Sequence, residues 1–144
     1  MTRFRQFIVA VVILLAIANL SLAKSILILN SYHETFAWTD ALVRGMKSVL
    51  QQDPHEFELV IEYMDTKRFK PSAHFLDTLE EVFRKKHSTK SFDLVITTDN
   101  IALNFLVDRY DRLFPTTPVV FCGVNNFNQG LLKNNKNITG VVES

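Results

Sequence analysis

The sequence predicts an α/β fold: an open parallel sheet with helices on both faces. Three observations predict it. Short apolar runs recur at residues 25–30, 92–97 and 119–122. The first is apolar on both alternating faces, as suits a strand covered on each side. Segments with a 3.6-residue apolar period separate the runs. Each run then turns abruptly polar, and in such sheets ligands meet the carboxyl ends of the strands.

Residues 1–23 stand apart. Arg3 and Arg5 precede an apolar stretch over residues 7–18, and Ser21-Leu22-Ala23 is a small-x-small pattern. This is the layout of a secretory signal peptide cleaved after Ala23. The competing reading is an uncleaved membrane anchor, because residues 7–23 hold no charge and are nearly long enough to span a bilayer. Either way residues 24–144 form the folded domain. Its expected location is periplasmic or otherwise extracytoplasmic, and its only membrane contact is through that segment.

Composition is ordinary for a globular chain, with 47% hydrophobic and 22% charged residues, and 144 residues suffice for one domain with a core. Removing residues 1–23 leaves 14 basic against 15 acidic residues. That balance gives no electrostatic footprint for nucleic acid. Cys122 is the only cysteine, so no internal disulfide forms and a buried thiol is expected.

Residues 25–30 read as the first and central strand. After the loop Glu34-Thr35-Phe36-Ala37-Trp38-Thr39, a helix is expected from about Asp40, with Thr39 as its N-cap and Leu42, Met46 and Leu50 on one face. Residues 57–64 are the second strand. Glu58 and Glu62 on one of its faces suggest an edge or a partly wet face. Pro71 suits the first turn of the next helix, whose stripe is Phe75/Leu76, Leu79 and Val82/Phe83. The cluster Arg84-Lys85-Lys86-His87 complements that helix's C-terminus and reads as a solvated helix end rather than an anion site.

Residues 92–97 are the third strand. Thr98-Asp99-Asn100 caps a helix to about Leu113, with Leu103, Leu106 and Tyr110 along one side. Residues 119–122 are the fourth strand. A short helical turn over residues 129–133 and a last strand from Ile138 follow.

Four strand tips thus carry candidate ligand contacts: Ser31, Tyr32 and His33; Asp65 and Thr66; Thr98, Asp99 and Asn100; and Gly123 and Asn125. Trp38 joins them, with Tyr32 and Phe36, as an aromatic surface for a flat or apolar ligand. The plainer reading of the polar set is turns and caps, and of Trp38 is core packing. Ser31, His33 and Asp99 resemble a hydrolase set, but the Gly-x-Ser-x-Gly elbow of such sheets is absent, so no catalytic residue is assigned. No glycine-rich phosphate loop follows the first strand, and the histidines and cysteine lack ligand spacing. No cofactor and no metal are therefore expected.

Four motifs occur in order: Leu29-Asn30-Ser31-Tyr32-His33 with Trp38-Thr39-Asp40; Glu62-Tyr63-Met64-Asp65-Thr66-Lys67-Arg68; Thr98-Asp99-Asn100-Ile101-Ala102-Leu103; and Pro118-Val119-Val120-Phe121-Cys122-Gly123-Val124-Asn125. Together they resemble the extracytoplasmic sensor domain related to ABC transporter substrate-binding proteins, found in bacterial histidine kinases and diguanylate cyclases. The resemblance implies a Rossmann-like or flavodoxin-like lobe of a periplasmic-binding-protein fold. It implies a non-catalytic role in sensing a small molecule held between two lobes. Residues 24–144 correspond to the first lobe, and the partner expected across the cleft is a second lobe or another copy of the chain. The alternative within the same fold is the substrate-binding component of an ABC transporter. A third class, an extracytoplasmic hydrolase, would rest on Ser31.

Overall fold

The computed structural model describes residues 23–52 and 56–142. The proposed signal or anchor segment lies outside them, apart from Ala23. Five strands are present: β1 (Lys24–Asn30), β2 (Phe57–Tyr63), β3 (Leu94–Thr98), β4 (Val119–Val124) and β5 (Ile138–Val142). Helices α1 (Ala37–Leu50), α2 (Ala73–Lys86) and α3 (Asp99–Leu113) connect the first four, and a 3-10 turn (Gln129–Leu132) leads into the fifth. Every strand pair is parallel, in the order β2-β1-β3-β4-β5. This is the doubly wound α/β sheet that the alternating pattern predicts.

β1 is an interior strand with both faces apolar, but it lies second from the edge: β3 takes the central place that the sequence reading gave to β1. Ile26 and Ile28 pack with Met46 and Leu50 of α1, whereas Leu29 packs with Phe83 of α2 and Ala102 and Phe105 of α3. Leu27 joins Val95, Leu103, Leu106, Val119 and Phe121 in the largest cluster. Leu27 and Ile28 are fully buried on opposite faces. Burying each such side chain stabilises by roughly 1.5–3 kcal/mol. α1 therefore lies on one face of the sheet, and α2 and α3 on the other.

β2 is an edge strand, as its glutamates suggest. Those glutamates face the α2 side and are met from there. Glu62 binds Lys86 at 2.6 Å and His87 at 3.0 Å, and Glu58 binds Lys90. The basic cluster at the end of α2 is thus not simply solvated: His87, at its C-cap, packs between Phe83 and Phe92. Arg109 joins α2 to α3, at 2.7 Å from Asp77 and 3.0 Å from Glu80. Arg112 grips Glu80 through two hydrogen bonds of 2.7 and 2.9 Å. That grip, above all, holds the Glu80 carboxyl below its ordinary value.

Two helix starts differ from the sequence reading, and a third lies where it was expected but lacks the side-chain cap. α1 begins at Ala37, with Phe36 at the N-cap and no side-chain cap. Asp40 instead accepts the Thr35 N–H at 3.0 Å, and Thr39 is buried within the helix. α2 begins at Ala73, because the Ser72 hydroxyl accepts the Phe75 N–H and sets the boundary after Pro71. At α3 Thr98 holds the N-cap position but its side chain does not cap. Its hydroxyl is engaged by Asn30 at 3.0 Å.

The β5 side of the sheet is thinly covered. Four of the five β5 residues are exposed, and Val141 is 70% exposed. Cys122 is half-buried rather than buried. Its position alternates with Phe121, so it faces away from the largest cluster, towards the face that α1 covers chiefly over β1.

Candidate functional site

Parallel pairing places all four predicted tips at one edge. Asn30 sits in register with Tyr63 and Thr98, and Thr98 with Cys122. From the end of β1 the chain leaves to one face through α1. From the end of β3 it leaves to the other through α3. The boundary between β1 and β3 is therefore the topological switch point, where open α/β sheets bind ligands.

The predicted residues divide into two layers there. The lower layer is buried and bonded internally. The Ser31 hydroxyl donates to the Thr98 carbonyl at 2.7 Å and accepts the Ala102 N–H at 2.8 Å. The Thr66 hydroxyl and N–H both donate to the Ser31 carbonyl, at 2.7 and 3.0 Å. The Thr98 hydroxyl donates to Asn30, which in turn donates to the Glu62 carbonyl. Ser31 and Thr98 are 0% exposed. These groups tie β1, β2, β3 and α3 together beneath the edge. The Ser31 hydroxyl is committed to Thr98 and Ala102, while His33 faces Asp65 at 3.4 Å.

The upper layer carries the surface. Tyr32 meets Phe36 edge to face with ring centroids 5.2 Å apart, and the Lys67 ammonium lies 4.7 Å from the Tyr32 centroid. Asp65 binds Arg68 at 2.7 Å. The Trp38 indole N–H donates to Asp99 at 2.9 Å, linking the first turns of α1 and α3. Trp38 remains 41% exposed, so it lies over the edge rather than in the core. The Tyr32 phenol is raised, first by burial and then by the Asp99 carboxylate. Asn100 and Asn125 exchange two bonds, N–H to carbonyl, at 2.8 and 3.0 Å, and so join the β3 and β4 tips.

Of the six residues other than glycine with positive φ among the described residues, four lie at this edge, while Lys133 and Asn134 lie in the turn before β5. Thr35, Asp65, Asp99 and Asn126 have φ of +74°, +60°, +68° and +52°, and Gly123 has +67°. A Cβ on Gly123 would meet Asp99 and Leu42 at an ordinary 3.6 Å, so glycine is required there by conformation and not by space. For residues other than glycine such conformations cost about 1–3 kcal/mol, and they concentrate at ligand-binding sites.

All eleven predicted residues thus reach one edge. Sequence reasoning missed Lys67 and the strained Thr35. The signal for Lys67 was its place next to the Asp65-Thr66 tip. Thr35 had none, because nothing in its residue type favours a positive φ, and its turn is held by the N–H bond to Asp40. Among the described residues no group of three or more His, Cys, Asp or Glu side chains is placed to hold a metal ion. Nor is any described helix long and apolar enough to cross a membrane. No family model, curated protein or solved structure matches the chain.

Proposed function

We propose that the chain is an extracytoplasmic lobe for sensing a small molecule, of the kind that serves as input to a bacterial membrane-bound signalling receptor. The observation that carries this reading is the edge at the β1/β3 switch point. There Tyr32, Phe36, Trp38, Lys67 and Asn125 form an aromatic and polar surface over strained backbone. A surface so built suits one wall of a cleft. A ligand seated on it and on a facing lobe would stabilise the closed arrangement, and closure would bias whatever element the lobes are joined to.

Trp38 is the only tryptophan in the chain, so its emission reports on this edge alone. The test is a metabolite screen by thermal shift on the purified protein, alone and with a supplied second lobe, with Trp38 emission as the second readout. A ligand that raises the melting temperature, changes Trp38 emission and loses affinity in Trp38→Ala is the expected result. If no compound moves either readout in either preparation, the sensing role is overturned.

A further inference from the structure

At the opposite edge, where the strands begin, a cavity of about 280 Å³ opens between the C-terminal ends of α2 and α3. Phe83, Phe92, Leu113 and Phe114 supply apolar walls. Phe92 packs edge to face against Phe114, with centroids 6.2 Å apart, and against His87, at 5.3 Å. The charged side chains lining the cavity are Arg84, Lys90 and Arg112, and no carboxylate lines it.

The basic groups at two helix C-termini first serve to offset the carbonyl ends of those helices. Two further facts go beyond that role. Arg112 and Lys90 are anchored by carboxylates standing outside the cavity, Glu80 and Glu58. Glu80 engages only Nε and Nη2 of Arg112, which leaves the Nη1 N–H groups of a five-donor fork. Arg84 is exposed and makes no ion pair among the described residues. The result is an apolar slot with held cations at its rim.

We infer that this cavity is a binding site for a carboxylate attached to a single aromatic ring. The ring lies in the slot against the wall that the Phe92–Phe114 pair and Phe83 form, and the carboxylate meets Arg84 and Arg112. The volume is just under the range of drug-sized pockets, which limits the occupant to about one ring. Guanidinium and carboxylate match in geometry and charge. The same chemistry is offered by a free aryl acid or by the C-terminal phenylalanine of a peptide.

The test is a titration of the full chain with phenylacetate, followed by NMR, beside phenylacetamide and a short peptide ending in phenylalanine as acid or amide. Saturable shifts are expected at Phe83, His87, Phe92 and Phe114, without any change in Trp38 emission at the far edge. The amides should bind about tenfold more weakly, the effect of one charge-assisted hydrogen bond. Arg84→Glu, an exposed change that leaves the fold intact, should weaken the acids by at least as much. A peptide acid binding more tightly than phenylacetate identifies the occupant as a chain terminus, and the reverse identifies a free acid. The inference is overturned if no saturable shift appears up to about 10 mM. It is equally overturned if acids and amides bind alike, or if Arg84→Glu leaves the acids unaffected.

Discussion

Ser31 shows what a single residue contributes to the edge. Read along the chain it is one more polar tip residue. In the fold its hydroxyl reaches Thr98 and Ala102, the latter 71 positions away. Polar residues at strand ends were legible as a group. Which of them turn inward was not, because that depends on partners from other strands. Ser31→Ala leaves a buried N–H and a buried carbonyl without their partner and should destabilise by about 1–3 kcal/mol, measured by urea unfolding. Gly140 makes the opposite point, since what it lacks is what matters. A Cβ there would stand 2.2 Å from the Phe121 carbonyl oxygen and 2.5 Å from its ring. Gly140→Ala should force β5 away from β4 and cost about 1–3 kcal/mol.

At the scale of the element, strands and helices were legible in kind and order, as were the starts of β2, β4 and β5, whereas the starts of α1 and α2 were not. α1 begins three residues before Asp40, because Asp40 turns back to the Thr35 N–H. That choice places Trp38 in the first turn, directly over Asp99. α2 starts at the Ser72 cap rather than at Pro71. Ser72→Ala removes the hydroxyl that accepts the Phe75 N–H, and the expected loss is about 1 kcal/mol in chemical denaturation. Ser72→Asp keeps an acceptor at the helix N-terminus and should restore most of it. The β2 glutamates were legible as an edge signal. Their partners Lys86, His87 and Lys90 were not, because the same cluster also suits a solvated helix end.

For the molecule as a whole, the alternating pattern predicted the parallel sheet but not its order. Placing β1 between β2 and β3 creates the switch point and gathers the tips around it. The two helices on one face are fastened by Glu80, Arg109 and Arg112. The Glu80 carboxyl is depressed below its ordinary 4.5, chiefly by the Arg112 hydrogen bond. A depressed carboxyl contributes stability that is present in full above its unfolded value and is lost as pH falls through its folded value. Stability should therefore decline as pH is lowered below about 4.5, and Glu80→Gln should be less stable at pH 7 with a flatter acid limb, read from urea midpoints across pH. The thin cover over β5 has a further consequence, in the kinetics of opening. With four of its five residues exposed, β5 is held chiefly by its backbone pairing with β4, with little side-chain burial to resist local separation. Its amides should exchange with solvent at a free energy below that of global unfolding, while those of β1 exchange only when the whole domain opens. The penalty for Gly140→Ala then has a ceiling. Once it exceeds the free energy of freeing β5, the variant releases that strand and keeps the rest of the sheet.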